Sequence, residues 1–159
     1  LNFAGTVRLG WINISVASLP VIVGAMLYGP VGGLLVGLLG AFMGQLLTYG
    51  VTATTILWIL PQAARGLLVG VYAKHCGYKF SSGQLTLALI GTALVVTALN
   101  TGAMYIDSVI YNYYSYAYVF GGLVVRIISG AATAVLMVFV APPVVNLLNR
   151  SLDTVRTAQ

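Results

Sequence analysis

The chain has 159 residues, 60% of them hydrophobic and 6% charged, with a formal net charge of +5 and a mean hydropathy of +1.01. A soluble domain carries about a quarter charged residues, so this composition excludes a soluble globular domain and places the chain in a lipid bilayer. The basic excess then concerns which loops hold Lys and Arg rather than nucleic acid, and a lone cysteine, Cys76, excludes an intrachain disulfide.

The length accommodates roughly five spans of about 20 residues with short connections, an all-α integral membrane protein in a single membrane domain over 1–159. Residues 1–10, LNFAGTVRLG, are mildly polar, carry Arg8 and read as an outer loop or interfacial segment. The chain starts at Leu1 without Met, so a preceding segment, up to a whole helix, is expected. The first span is read at 11–28. Its start, WINISVAS, alternates apolar with small polar residues, which weakens the helix signal near Asn13–Ser15. At Tyr28-Gly29-Pro30 the apolar run breaks: Pro30 has no N–H and pushes its predecessor out of helical geometry, a position glycine tolerates. The spacing predicts a tight hairpin of two apolar helices.

The second span, 31–49, carries Gly33, Gly37, Gly40 and Gly44, and the third, 56–73, carries Gly66 and Gly70. Glycines four apart leave bare backbone on one helix face, where a neighbouring helix packs or a partner docks. Between them lies the polar loop 50–55. The third span also holds Pro61, Gln62 and Arg65, polar groups at depth in a helix expected to kink. After the loop 74–83, with Lys74, His75 and Lys79, comes a fourth span at 84–104 containing Asn100. The stretch 105–118, YIDSVIYNYYSYAY, holds six tyrosines. A fifth span, 119–141, carries Arg126 and is closed by Pro142-Pro143. The tail 144–159, with Arg150, Asp153 and Arg156, reads as a cytoplasmic amphipathic surface helix.

Because spans alternate, loop 74–83 and the tail share one side, with Lys74, Lys79, Arg150 and Arg156, whereas 1–10, 50–55 and 105–118 share the other, with Arg8 and Asp107 as its charges. The positive-inside rule makes the first side cytoplasmic and the second external.

Arg65 and Arg126 are the charges inside spans. An arginine at membrane depth costs about 2.5–3.5 kcal/mol on insertion scales and faces protein or water. Each has two readings: a ligand for an anionic substrate group through its bidentate fork, or a side chain that meets helix-end carbonyls or snorkels to the interface. Asn100, Gln45, Gln62 and Trp58 are uncharged pocket candidates with interhelical hydrogen bonding as the alternative. Tyr105, Tyr113 and Tyr114 belong either to an interfacial aromatic belt or to a lid over a flat ligand, and Asp107 either receives ligand N–H groups or fixes that loop. There is no P-loop, no H-E-x-x-H, no nucleophile elbow and no carboxylate pair, and no intramembrane Asp, Glu or His for a proton relay. No catalytic residue, metal site or cofactor is expected. A structural or assembly membrane protein without its own ligand is the alternative to a substrate-binding one.

The run INISVASLPVIVGAMLYGPVGGLLVGLLGAF, the segment ILPQAARGLLVGVYAK and the stretch ALNTGAMYIDSVIYNYYSYAYVFGGLVVRIISGAATA with the closing Pro-Pro resemble the S components of energy-coupling factor (ECF) transporters. The resemblance extends from about Ile12 to Pro143. It implies a six-helix bundle whose first helix does not show ahead of Leu1. It also implies high-affinity binding of a water-soluble vitamin or precursor from outside, and ATP-driven, ABC-type uptake with a membrane scaffold (T) subunit and two ATPases. Residues 1–15, 50–55 and 105–118 would then line the outer pocket. Two buried arginines rank folate-like or pantothenate-like ligands slightly first, with pyridoxine, cobalamin and a queuosine precursor open.

Overall fold

The structure, a computed structural model, describes residues 6–9, 12–15, 18–78 and 82–157, with side chains over 18–78 and 83–150. Trp11, Lys79 and residues 1–5, all part of the sequence-based expectations, lie outside the described residues. The fold is an all-helical membrane bundle preceded by a short β ribbon. In order come β1 (Thr6–Leu9), β2 (Ile12–Ser15), α1 (Ser18–Tyr49), α2 (Thr55–His75), α3 (Ser82–Ile110), α4 (Tyr116–Phe120) and α5 (Leu123–Thr157). β1 and β2 pair antiparallel with Thr6 opposite Ser15 and Leu9 opposite Ile12, and β2 lies against α5. α1, α2, α3 and the stretch Tyr116–Arg150 are long and apolar enough to cross a membrane.

α1 doubles back on itself. Gly29 has φ 74° and ψ −159°, a region open essentially to glycine alone. Pro30 then opens the second arm with its φ already suited to a helix start. Gly24 and Val36 would stand about 18 Å apart in an unbroken helix; instead a Cβ built on Gly24 would lie 3.0 Å from Val36 Cγ2. The short arm, 18–28, therefore runs antiparallel to the long arm, 30–49. Tyr78, itself at φ 60°, sets its hydroxyl against Gly29.

The long arm is joined to α2 backbone to backbone. A Cβ on Gly33 would stand 2.8 Å from the Gly66 carbonyl carbon, one on Gly37 2.9 Å from that of Gln62, and one on Gly70 2.6 Å from Gly29. Such close approach is open only to bare backbone. Four of the six glycines proposed for docking or packing, Gly33, Gly37, Gly66 and Gly70, are thus used up within the chain. Gly40 and Gly44 have nothing within 4 Å.

Several boundaries differ from those expected. The first helix begins at Ser18 rather than Trp11, because Ile12–Ser15 is strand β2. α3 runs on to Ile110, so Asp107 and Tyr105 sit on a helix instead of in a loop. Val119 belongs to α4, and α5 starts at Leu123. Pro142-Pro143 does not end that helix: α5 continues to Thr157. The two missing N–H groups cost two local bonds, yet Ala141 and Val145, on either side, are buried in the core and hold the helix in line.

The core occupies one half of the bundle. It unites Ile22, Ala25 and Met26 of the short arm with Val69 of α2, Leu85 and Leu89 of α3, and Met137, Ala141 and Val145 of α5. This half ends at Lys74, His75 and the Gly29 turn, and is called the basic end below. The opposite, tyrosine end carries the 50–54 turn and residues 111–122. Towards that end two cavities lie one above the other.

Candidate functional site

The two cavities share the α2–α3 seam. On α3, Asn100 and Asp107 stand two turns apart on one face; on α2, which runs the other way, Trp58 and Arg65 do the same. The upper cavity, about 360 Å³, lies at the tyrosine end and is lined by Gln45, Tyr49, Thr52, Thr54, Trp58, Asp107, Tyr111, Tyr113 and Tyr118. The lower cavity, about 180 Å³, is lined by Arg65, Ala93, Val96, Thr97, Asn100, Val125, Arg126, Ser129, Gly130 and Thr133. Of the predicted site residues, Gln45, Trp58, Asp107 and Tyr113 thus meet in the upper cavity and Arg65, Asn100 and Arg126 in the lower. Tyr105 and Tyr114 line neither. They pack on each other edge to face, centroids 5.5 Å apart at 85°.

Asp107 is buried and already engaged. The Tyr113 hydroxyl donates to its Oδ2, and the Thr54 and Trp58 side chains add hydrogen bonds to the same carboxylate. Three segments are tied together by this one acid: the start of α2, the end of α3 and the turn after it. Its bond to Asp107, reinforced by burial, raises the Tyr113 hydroxyl well above the ordinary tyrosine range. The geometry supports the loop-fixing reading of Asp107.

The two arginines differ in their surroundings. Arg126 Nη1 donates to Thr101 Oγ1 at 3.3 Å and to Met104 Sδ at 3.0 Å, and its Nη2 donates to the Val119 carbonyl at 2.5 Å. It therefore clasps α4 to α3. Arg65 Nη1 is buried with no hydrogen-bond partner among the described residues, as is Gln62 Oε1 one turn away. Among the described residues no carboxylate lines the lower cavity, so neither guanidinium meets a counter-charge from them there.

Sequence reasoning missed the hydroxyl lining. Thr97 and Thr101 of α3 and Thr133 of α5 each donate to the carbonyl four residues back. That bond satisfies the hydroxyl at membrane depth; Thr97 and Thr133 line the lower cavity and Thr101 accepts from Arg126. Their spacing, Thr92-Thr97-Thr101 and Ser129-Thr133, was the available signal. Thr54 and the Val119 carbonyl carried no signal, since their roles arise from tertiary contacts.

The arrangement is a polar, cationic chamber inside apolar helices, beneath an aromatic mouth fixed by Asp107. A UPF0397 protein of Leuconostoc citreum (strain KM20) is 39% identical over 75 residues, 47% of this chain. The chain spans 37% of that relative's length. The family model for the substrate-specific component of ECF transporters matches residues 1–145, which takes in β1, β2, all of α1 to α4 and most of α5. The chain belongs to the ECF transporter substrate-specific component family.

Proposed function

We propose that the chain binds a water-soluble vitamin or vitamin precursor from outside the cell and delivers it for ATP-driven uptake with an ECF module of one membrane scaffold subunit and two ATPases. One observation carries the reading of the ligand: Arg65 and Arg126 face the same cavity with Asn100, and no carboxylate among the described residues lines it. A guanidinium fork pairs best with a planar anion, so carboxylate-bearing ligands of folate-like or pantothenate-like type lead over pyridoxine, cobalamin or a queuosine precursor. The basic residues Lys74 and Arg150 favour a cytoplasmic basic end and an external tyrosine end. Ligand then enters past Trp58 and the tyrosines. Gly40 and Gly44, the uncovered part of the glycine stripe, offer the face on which the scaffold subunit would dock.

Mass spectrometry of small molecules released by denaturing the purified protein tests this. A stoichiometric vitamin fixes the ligand, and Arg65→Ala and Arg126→Ala are expected to lose it. An empty protein that gains no thermal stability from a vitamin panel moves the assignment to a structural or assembly protein without its own ligand.

A further inference from the structure

We infer that the upper cavity is a seat for an organic cation, in which the aromatic mouth and the Asp107 carboxylate receive a positively charged nitrogen group of the ligand. This rests on the chain being a substrate-binding subunit. With the arginines of the lower cavity it narrows the substrate class to dipolar molecules, cationic at the outer end and anionic at the inner.

The charge comes first. Asp107 is one of two acids in the chain, and it is buried. Its hydrogen-bond partners are the hydroxyls of Tyr113 and Thr54 and the indole of Trp58. The hydroxyls can donate and the indole N–H can only donate, so the carboxyl they surround is the acceptor-only, ionised form. Neutral donors stabilise that charge without cancelling it, and a buried charge is ordinarily paired. Among the residues that line the cavity there is no Lys or Arg. Arg65 and Arg126 line the lower cavity instead, and Arg126 is engaged by Thr101, Met104 and Val119. Asp107 therefore fixes the turn after α3 and still holds an uncancelled negative charge at the cavity wall.

The wall around that charge is aromatic. Tyr49, Trp58, Tyr111, Tyr113 and Tyr118 make up most of the lining. The Trp58 N–H and the Tyr113 hydroxyl are taken by Asp107, so these two offer the cavity ring surface rather than donors. Tyr113 and Tyr118 brace each other edge to face, centroids 5.4 Å apart at 81°. Ring faces attract cations, most strongly where water is excluded. Rings alone would suit any flat ligand; the carboxylate among them selects a positive one. Among the described residues no three of His, Cys, Asp and Glu come together. One carboxylate ringed by π systems thus suits an organic cation rather than a metal ion, which asks for several oxygen, nitrogen or sulfur ligands. The volume, about 360 Å³, lies within the usual range for small-molecule sites, about 300–1,000 Å³. Trp58 and Arg65 stand seven residues apart on α2, which sets the ligand's two charges on the order of 10 Å apart along the bundle.

The probe is choline, with 3,3-dimethylbutan-1-ol as its uncharged isostere. Trp11→Phe leaves Trp58 as the sole tryptophan. The full chain with that change, in dodecyl maltoside, is titrated with choline chloride in place of sodium chloride at constant ionic strength, followed by Trp58 fluorescence. A saturable change is expected, with choline bound at least about tenfold more tightly than the isostere. Asp107→Asn in the same background weakens choline at least about tenfold and leaves the isostere within about twofold. Asp153→Asn, which removes the chain's other acid, changes neither. Should Asp107→Asn not fold, the choline-to-isostere ratio of the parent decides alone, and a ratio near one overturns the seat. Choline binding that survives Asp107→Asn, or no saturable change when choline replaces sodium, overturns it as well. Tighter binding of monomeric dihexanoylphosphatidylcholine than of choline assigns the cage to a lipid headgroup and overturns its place in the substrate site. A retained vitamin without a cationic or protonatable nitrogen sinks the cation seat and leaves the substrate-subunit reading standing. A protein that seats choline as described, retains no vitamin and gains no thermal stability from a vitamin panel sinks the substrate-subunit reading alone.

Discussion

Gly33 is squeezed from two sides, which makes Gly33→Ala a sharp test of the α1–α2 joint. A methyl there would lie 2.6 Å from Ala25 Cβ on the short arm and 2.8 Å from the Gly66 carbonyl carbon on α2. Ordinary contact begins near 3.4 Å, so Ala25 must recede by about 0.8 Å and Gly66, whose carbonyl oxygen is nearer still than its carbon, by more than 0.6 Å. Neither is a flexible side-chain tip: one is a Cβ and the other backbone. Overpacking of this kind costs about 1–3 kcal/mol. Alanine's better helix propensity returns up to about 1 kcal/mol. Gly40→Ala is the matched control, with the same propensity gain and nothing within 4 Å. The difference between the two variants is therefore the packing term alone, about 1–3 kcal/mol against Gly33→Ala. Unfolding in mixed micelles of dodecyl maltoside and SDS, followed by circular dichroism, measures it. Equal midpoints for Gly33→Ala and Gly40→Ala would refute the backbone-to-backbone joint.

Other perturbations probe the turn and the mouth. Gly29→Ala forces alanine to φ 74° with its methyl 2.7 Å from Tyr78 Oη; the backbone strain alone costs about 1–3 kcal/mol. Pairing it with Tyr78→Ala is expected to recover only the steric part of the lost midpoint. Arg126→Gln removes the charged bonds to Val119 and Thr101, and hydrogen–deuterium exchange across 116–122 should quicken while that of α2 is unchanged. For Tyr113, the folded protein keeps the hydroxyl proton to higher pH than the unfolded chain, because Asp107 accepts its hydrogen bond. Its stabilising contribution is complete below the ordinary tyrosine value of about 10 and is lost as pH rises from there through the raised folded value. Midpoints between pH 9 and 12 should thus fall more steeply in wild type than in Tyr113→Phe, and parallel curves would remove Tyr113 from that coupling.

Legibility tracked the range of the interactions concerned. The Gly29-Pro30 turn and the all-helical membrane class rest on local chemistry, a proline, a glycine and long apolar runs, and both were readable. The start of α1 was not read correctly, although its signal was present. Thr6–Leu9 and Ile12–Ser15 both alternate polar with apolar residues, the period of a strand. Residues 1–10 were read as a loop or interfacial segment, and the apolar content of Ile12–Ser15, close before Ser18, passed for the beginning of a span. Asp107 was assigned to a loop because tyrosines cluster around it; the helix reaches past it, since nothing before Tyr111 breaks one. The pairing of Arg65 with Asn100 and Arg126 in one cavity depends on how α2, α3 and α5 meet. The i, i+7 spacing of Trp58 with Arg65 and of Asn100 with Asp107 was visible, but which helix faced which was not.

The short arm and the ribbon explain each other. A helix of half the membrane's thickness leaves the other half of its column unfilled, and irregular backbone at that depth is tolerated only where its polar groups are paired or face a cavity. β1 and β2 meet the first condition by pairing with one another, and β2 rests on α5. The same division sets where the protein can move. Below Ser18, apolar side chains of four helical segments interlock in one core, and the glycine joint brings α1 and α2 within backbone contact. Above it, the helices are separated by cavities and held by a few polar clasps, Arg126 on Val119 and Tyr113 on Asp107. Regions with few apolar contacts and discrete polar ties are those that open at low free energy. Release of those two clasps would therefore expose both cavities without disturbing the packed core.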